Sequence, residues 1–304
     1  MSLLFPKLRV GEPVRHEALS VFPLFAEPCG QVRYRLSDEA LSDQSVLVEE
    51  ISQGGSVRDL LVENKGDMRV LFLEGEELVG AKQNRILNTS VLIPAHSKLK
   101  IPVSCVEQGR WRYKSRYFGV SGSHSPSKLR RTLKSSVSRS VKENRGHTSD
   151  QGEVWKEVGA LHAAHQVESG TAAMSDAFET YKDRIAAFKD NLKYAEGASG
   201  LAVAIGGQVI SVDLFDNPST CRKVWDRLLS GAVFDALEAR ASDQHASVTA
   251  VEQLLGLAGD LPWEPTASVG EGQEFRAESL RGDYASALVF EGAVVHGSVM
   301  AGVP

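Results

Sequence analysis

Cysteine is scarce in this sequence of 304 residues, which contains only three. Cys29, Cys105 and Cys221 lie far apart, no CxxC pair occurs, and the total is odd. A disulfide framework needs an even set of cysteines, and a structural zinc site needs closely paired ligands. We therefore expect free thiols in a reducing cytoplasm, with Cys105 buried in an apolar strand.

Long apolar runs are also missing. No run of about 18 apolar residues occurs, so the sequence predicts no transmembrane helix and no membrane partner. Pro6 interrupts the N-terminal apolar residues before a stretch of signal-peptide length develops. We therefore expect no secretory signal in this sequence.

The common motifs of nucleotide and hydrolase sites are absent. The sequence has no GxGxxG after a strand, no Walker loop, no GxSxG and no HExxH. A doubly wound nucleotide fold and a Ser/His/Asp triad are therefore disfavoured. His162, His165 and Glu168 follow one another at a spacing of three, whereas metal-binding helices more often use four. We expect a polar helix face there and predict no metal site.

The composition is that of a globular protein. Hydrophobic residues make up 42% and charged residues 24% of the chain, which disfavours wholesale disorder. The net charge of -5 excludes a uniformly basic nucleic-acid binder. The length suits one large domain or two ordinary ones.

Two successive regions differ in their residue pattern. Residues 21–113 alternate β-branched or apolar runs with turns, among them an expected hairpin turn at Asn64-Lys65-Gly66-Asp67. Residues 125–195 have helical periodicity. We predict one helix capped by Ser125 and a long amphipathic helix from Met174 to Leu192.

A third region, residues 196–304, mixes both patterns. It predicts two strands around Gly206-Gly207, a helix opened by Asn217-Pro218, a helix near Val248 to Leu257, and a hairpin around Glu291-Gly292. We therefore predict an α+β fold, with an antiparallel strand-rich core and a helical segment between the N-terminal and C-terminal β units. Because each β-rich part is short of a full sheet, we expect a single domain over residues 1–304.

One polar stretch interrupts the apolar runs of the first region. Residues 72–85 read FLEGEELVGAKQNR, in which three carboxylates end one run and two cations with two amides precede the next. Either a solvated hairpin tip or a built polar site fits this pattern. As a site, it would use Glu76 and Glu77 as catalytic carboxylates and bind its ligand through Lys82, Gln83, Asn84 and Arg85.

A second polar group follows in the segment CVEQGRW. Glu107, Arg110 and Trp111 surround Gly109 there. An acid, a guanidinium and an indole together suit the binding of a base and a ribose phosphate, so we predict a catalytic Glu107 and a ligand-binding Arg110 and Trp111. In the alternative, Trp111 is a core residue, and Glu107 pairs with Arg110 at the surface.

Positive charge is concentrated between Glu107 and Arg145. Eleven cations face two carboxylates in this stretch, an excess of nine positive charges. The segment suits a contact with a polyanion, a flexible cover over the β-unit site, or a solvated face paired with acidic neighbours. Nucleic acid is therefore disfavoured by the net charge but stays open as a partner.

Two stretches resemble a known family. Residues 73–111, LEGEELVGAKQNRILNTSVLIPAHSKLKIPVSCVEQGRW, are similar to the signature block of a prokaryotic domain family of unknown function. That family is named for its gene association with ADP-ribosylglycohydrolases and rhodanese-phosphatases. Residues 200–229, GLAVAIGGQVISVDLFDNPSTCRKVWDRLL, resemble its strand–strand–helix segment. The resemblance extends from about Val21 onward and implies a setting in nucleotide or ADP-ribose metabolism and stress response, with no catalytic residue to transfer.

Two hypotheses of different classes follow. The first is recognition or processing of a nucleotide-derived or ADP-ribose-like small molecule. The second is a non-catalytic interaction module of a stress or defence system, with the basic helix as its docking surface. The sequence leaves open whether the protein is an enzyme, which cofactor it uses and whether it forms a homo-oligomer.

Overall fold

The computed structural model of the protein describes residues 3, 5–27, 32–239 and 244–302. Within these ranges the chain forms 18 strands and seven helices, most of the strands paired antiparallel, which confirms the α+β class. The chain divides into two compact units. The terminal unit comprises Met1–Val32, Asp183–Ala267 and Gly272–Pro304, and the central unit comprises Arg33–Lys182 and Ser268–Glu271. A single domain over the whole chain stays a prediction.

The elements are numbered in chain order. The strands are β1 (Leu8–Val10), β2 (Val14–His16), β3 (Leu19–Ala26), β4 (Tyr34–Leu36), β5 (Val46–Glu50), β6 (Asp59–Asn64), β7 (Arg69–Phe72), β8 (Glu76–Gly80), β9 (Arg85–Leu87), β10 (Val91–Ile93), β11 (Ser97–Cys105), β12 (Phe118–His124), β13 (Gly200–Ile205), β14 (Gln208–Phe215), β15 (Glu264–Thr266), β16 (Gln273–Glu278), β17 (Tyr284–Phe290) and β18 (Ala293–Met300). The helices are α1 (Ser37–Ser42), α2 (Ser127–Lys142), α3 (Gln151–Ala164), α4 (Met174–Thr180), α5 (Lys182–Asn191), α6 (Pro218–Glu238) and α7 (Val248–Gly259).

The central unit contains two sheets. A six-stranded antiparallel sheet has the order β12-β8-β9-β11-β6-β5, and a three-stranded sheet has the order β10-β7-β4 with β4 and β7 parallel. Alternate residues of these strands fill one apolar core, as the two-residue period of a strand requires. Buried members of that core include Val48, Leu60, Phe72, Leu78 and Ile101.

The terminal unit is built on a nine-stranded sheet. Its order is β1-β3-β13-β14-β18-β17-β16-β15, with β2 paired to β3. Residues of α7 pack against this sheet in a core that includes Phe22, Leu24, Val251 and Val299. The predicted β region thus begins earlier than Val21, because β1 and β2 precede it.

Several local predictions are confirmed in the terminal unit. β13 and β14 pair around Gly206-Gly207, and β17 and β18 pair around Glu291-Gly292. α6 begins at Pro218, where the side chain of Asn217 accepts a hydrogen bond from the backbone N–H of Ser219 at 2.8 Å. This is the N-cap that the Asn-Pro pair predicted.

The predicted hairpin at Asn64–Asp67 is wrong. The turn exists, and the Asn64 side chain stabilises it by accepting from the Gly66 N–H at 3.0 Å and donating to the Met68 carbonyl at 2.9 Å. Its flanking strands nevertheless do not pair with each other, because β6 joins β5 and β11 while β7 joins β4 and β10. The predicted cap of α2 is also wrong: Pro126 is the N-cap, and the Ser125 hydroxyl donates to the Gly75 carbonyl.

The predicted long helix from Met174 to Leu192 is broken at Tyr181. α4 ends there, and the Tyr181 hydroxyl donates to the His165 carbonyl at 3.1 Å. The two halves belong to different units, since the boundary follows Lys182. One helical period in the sequence therefore describes two helices that belong to different units.

No helix within the described ranges is long and apolar enough to cross a membrane. Cys105 and Cys221 are free and buried, which confirms the prediction for Cys105, whereas Cys29 lies outside the described residues. Burial raises the pKa of the Cys105 thiol to about 11, and burial raises the pKa of Cys221 as well.

We predict that both described thiols are unreactive in the native protein. In a Cys29→Ser background, each should react with a thiol reagent at pH 8 at least about 100-fold more slowly than in guanidinium chloride, because the thiolate is the reactive form. The absorbance of the released chromophore measures the rate. Rapid native labelling of Cys105 would show that its strand is not buried.

Candidate functional site

The polar stretch of residues 74–85 lies inside the central unit. Glu74, Glu76 and Glu77 are at most 1% exposed, and Arg85 is fully buried. The hypothesis of a solvated hairpin tip is therefore wrong. Ordinary surface charges stay in water, so a buried set of this size needs specific partners.

Gly75 makes the sharp turn that brings these residues inside. Its φ of 79° lies in the left-handed region, which glycine adopts without strain. A Cβ atom at this position would stand 2.7 Å from Cε1 of the His124 ring. Only a glycine therefore allows the chain to turn against that ring between β7 and β8.

Glu107 and Arg110 form a buried ion pair, here called the Glu107–Arg110 clamp. The Glu107 carboxylate accepts from Nε of Arg110 at 2.7 Å, Nη2 of Arg110 at 2.6 Å, the Asn84 N–H at 3.0 Å and the Thr171 hydroxyl at 2.9 Å. Burial alone would raise the pKa of Glu107, but these hydrogen bonds, Arg110's first, outweigh it and lower the pKa. The carboxylate is therefore held in its ionised form.

The guanidinium of the clamp joins two loops. Arg110 donates to the carbonyls of Ala81 at 2.6 Å, Arg112 at 3.0 Å and Gly80 at 3.1 Å, and to the Asn84 side chain at 3.2 Å. The predicted surface pair of Glu107 and Arg110 is thus a pair, but a buried one. Because its hydrogen-bonding capacity is largely taken up by the protein, the clamp shapes the site and leaves little for a ligand.

The two amides are also occupied by the protein. Gln83 donates to the Glu107 carbonyl at 2.8 Å and accepts from Nη1 of Arg85 at 3.1 Å. The Asn84 amide donates to the Ser175 hydroxyl at 3.1 Å. Gln83 and Asn84 therefore connect the loop to its surroundings, which accounts for an amide pair inside an apolar region.

An open cleft of 770 Å³ lies on the central unit. Its walls come from the end of β5, the segment that follows this strand, and the loop that precedes β12. The lining residues are Glu49, Glu50, Ser52, Gln53, Tyr113, Lys114, Ser115 and Arg116. None of these belongs to the predicted site, although Glu49-Glu50 repeats the signal of two carboxylates at the end of an apolar strand.

Lys82 connects the predicted residues to this cleft. Its Nζ lies 5.3 Å from the centre of the Trp111 ring and 5.2 Å from the centre of the Tyr113 ring, while Lys82 itself is only 8% exposed. Trp111 is 47% and Tyr113 50% exposed, so the interpretation of Trp111 as a core residue is wrong. An ammonium between two aromatic faces is a favourable cation–π arrangement.

Glu50 is the carboxylate that the sequence analysis missed. Its side chain is 1% exposed, and its Oε1 accepts from the Lys82 N–H at 3.3 Å and lies 3.6 Å from Nη2 of Arg85. Arg85 in turn lies 5.6 Å from the Trp111 ring centre. The structure therefore brings Lys82, Arg85 and Trp111 together beside Glu50.

Glu76 and Glu77 point in different directions, as neighbours on a strand do. Oε2 of Glu76 accepts from the Leu73 N–H at 3.0 Å. No hydrogen bond of ordinary geometry from the described residues reaches either carboxyl oxygen of Glu77. Burial raises the pKa of Glu77 to about 8; the nearby Ser121 hydroxyl opposes this rise, and the Glu107 carboxylate adds to it.

The basic helix α2 is not a uniformly solvated face. Arg130 is 4% exposed and Lys134 is fully buried, with Nζ of Lys134 at 2.8 and 2.9 Å from the two carboxyl oxygens of Glu74. The alternative of a solvated face is therefore wrong for these two residues, although Lys134 does pair with an acidic residue. A buried carboxylate requires a neighbouring cation, and Lys134 supplies it.

The histidines at the end of α3 contact neighbouring protein groups. No group of three or more metal-ligating side chains occurs in the ranges that the structure describes. Nε2 of His162 lies 3.0 Å from the Ala173 carbonyl, and the His165 ring packs edge-on against Tyr181.

The comparisons with known proteins identify the family. The ARPP-1 domain, described as the ARG and Rhodanese-Phosphatase-superfamily-associated Protein domain, matches residues 7–300. The chain therefore belongs to this family, as the resemblance in residues 73–111 and 200–229 indicated. No curated protein and no solved structure matches the chain.

We predict that the clamp stabilises the central unit. Arg110→Ala leaves Glu107 buried without its cation, so the free energy of unfolding should fall by about 3–5 kcal/mol. Lys193→Ala is the matched control, because it breaks the exposed Asp190–Lys193 pair at the same sequence spacing. Guanidinium unfolding curves measure both. Equal unfolding midpoints for Arg110→Ala and Lys193→Ala would contradict a stabilising role of the Glu107–Arg110 clamp.

We predict that ionisation of the buried Glu77 carboxyl lowers the free energy of unfolding as the pH rises. A folded pKa of about 8 exceeds the ordinary 4.5, so stability present below pH 4.5 is lost as the pH rises towards 8. Glu77→Gln removes this titration, so between pH 5 and 8 its stability relative to wild type should rise by on the order of 2–4 kcal/mol.

The free energy of unfolding at pH 5, 6.5 and 8 tests this expectation. Glu12→Gln, at an exposed position, is the control for changes in total charge. A constant difference between Glu77→Gln and wild type across the three pH values would mean that Glu77 titrates in the ordinary range.

Proposed function

We propose that the protein recognises or processes a nucleotide-derived small molecule of the ADP-ribose type in the cleft beside Glu50. The observation that carries this proposal is the ammonium of Lys82, placed between the exposed rings of Trp111 and Tyr113 at the edge of the cleft. Those groups suit the two parts of a nucleotide, an aromatic base and an anionic phosphate.

The rings would bind the base by stacking. Base–aromatic stacking contributes about 1–3 kcal/mol per base, and Trp111 and Tyr113 are both half exposed and so accessible to a ligand. The phosphates would contact the ammonium of Lys82 and the cations of the cleft wall, Lys114 and Arg116. A cleft of 770 Å³ also lies within the range of roughly 300–1,000 Å³ that is usual for small-molecule sites.

The family supports the same ligand class. Its name links it to genes of the ARG and rhodanese-phosphatase groups. On this basis we place the protein in the cytoplasmic metabolism of ADP-ribose or related nucleotides under stress. We assign Glu107 and Arg110 to the support of the site, because their contacts are with the protein. Catalysis, where it occurs, would use Glu50 or the neutral carboxyl of Glu77.

The alternative of an interaction module with a basic docking helix has less support. Two of the cations of α2 that such a surface would use, Arg130 and Lys134, are buried. Single-stranded nucleic acid shares the chemistry of bases and phosphates with a nucleotide, so it forms a separate arm of the binding test.

We predict that ADP-ribose, ADP or NAD binds to the wild-type protein and that the cleft residues control affinity. Trp111→Ala and Lys82→Met should each weaken binding by about tenfold or more, because one loses stacking and the other a charge-assisted contact. Isothermal titration calorimetry measures the dissociation constants. Lys100→Met, at an exposed position of β11, is the matched control for Lys82→Met.

Three outcomes are informative. Loss of affinity in the two cleft variants but not in Lys100→Met supports the proposal. Binding of none of the three nucleotides to the wild type overturns it. Tight binding of a single-stranded oligonucleotide, with an affinity that falls steeply with salt, would assign the cleft to nucleic acid instead.

A further inference from the structure

Glu50 has one carboxylate oxygen that the protein does not use. Its Oε1 accepts from the Lys82 N–H and faces Arg85, whereas Oε2 has no hydrogen-bond partner in the described part of the chain. The side chain is 1% exposed and yet lines the cleft. A buried acceptor without a partner is uncommon in a folded protein, so this oxygen calls for an explanation.

We propose that Glu50 makes the cleft selective for ribonucleotides, its Oε2 accepting hydrogen bonds from the ribose hydroxyls of the bound ligand. This inference rests on the proposed function, which it narrows from nucleotides in general to those that carry a ribose diol.

The chemistry of the carboxylate restricts what can lie next to it. An ionised carboxylate only accepts hydrogen bonds, and it repels phosphate. The ligand group beside Oε2 is therefore a donor. In a nucleotide whose base stacks on the rings and whose phosphates contact the cations, the sugar hydroxyls are the donors that lie between those two parts.

The contacts of Oε1 fix the position of Oε2. The Lys82 N–H and the Arg85 guanidinium both contact Oε1, so rotation of the carboxylate would break two contacts. In dinucleotide-binding folds an acidic residue likewise accepts a hydrogen bond from the ribose 2′-hydroxyl. Here it occurs on a different architecture.

Gly55 packs closely beside Oε2 of Glu50. A Cβ atom at Gly55 would stand 3.3 Å from Oε2 of Glu50, 3.2 Å from Cδ of Lys82 and 3.2 Å from the Trp111 ring. The neighbouring Gly54 has only the Ser52 hydroxyl nearby, at 3.6 Å. A methyl group at position 55 would thus crowd Oε2 of Glu50, and the φ of 78° at Gly55 also disfavours any other residue, whereas position 54 has room for a methyl group.

The Glu50→Gln variant tests the role of Oε2 with a minimal change in shape. The donors Lys82 N–H and Arg85 would hold the amide oxygen at the position of Oε1, which places the amide NH₂ where Oε2 stands. An acceptor facing the cleft thereby becomes a donor. Glu63→Gln is the matched control, because it makes the same change of charge outside the cleft, at a side chain that is 39% exposed.

The experiment compares the dissociation constants of ADP, 2′-deoxy-ADP, 3′-deoxy-ADP and IDP by calorimetry. Wild type and Glu63→Gln should bind ADP at least about tenfold more tightly than either deoxy analogue, since each analogue lacks a hydrogen bond to a charged group. In Glu50→Gln that ratio should fall to less than about threefold.

The outcomes separate this inference from the function on which it rests. Equal affinity of the wild type for ADP and both deoxy analogues overturns ribose selection while nucleotide binding stands. A change in the ratio of ADP to IDP in Glu50→Gln, without a change in the deoxy ratios, would place the base amine at Oε2 and also overturns it. No binding of any of the four ligands overturns both proposals. If Glu50→Gln proves unstable, the relative affinities of the wild type for ADP and the two deoxy analogues still test ribose selection.

Discussion

The arrangement of the cleft edge depends on the Glu107–Arg110 clamp. A buried ion pair costs desolvation energy, which is offset only where the remaining hydrogen-bonding capacity is filled. Here Glu107 receives four hydrogen bonds, and Arg110 reaches the carbonyls of Gly80 and Ala81 as well as that of Arg112. The loop that carries Lys82 and the loop that carries Trp111 and Tyr113 are thereby joined, so the ammonium meets the rings.

Two other buried carboxylates of this region also lie beside a cation. Glu74 has Lys134 at 2.8 Å, and Glu50 has Arg85 at 3.6 Å. No cation in the described part of the chain is paired with Glu77, and burial raises its pKa, since a buried carboxyl without a counter-charge takes up a proton. The central unit thus holds both ionised and neutral carboxyls within one polar region.

Patterns in the sequence correctly predicted those features that residues close together in the chain determine. The β13–β14 turn and the start of α6 at Asn217-Pro218 depend on residues only a few positions apart. Strand pairing does not depend on neighbouring residues alone. β6 and β7 therefore enter different sheets although a well-formed turn connects them. Glu50 and Lys134 were missed for the same reason: Glu50 accepts the N–H of a residue 32 positions away, and Lys134 meets Glu74 across 60 positions. The polar stretch of residues 74–85 was visible as an anomaly, but its partners were not.

Burial of the polar stretch has a consequence for selectivity. Groups that must distinguish similar ligands need fixed positions, and those that only supply contact area can adapt. Glu50 and Arg85 are held inside the central unit, whereas Trp111 and Tyr113 are half exposed. Within the proposed function, the aromatic rings would contribute affinity for many bases, and the fixed carboxylate would decide which sugar is accepted. A solvated hairpin tip with the same residues could bind a nucleotide, but it could not hold one carboxylate oxygen in place while leaving the other to the ligand.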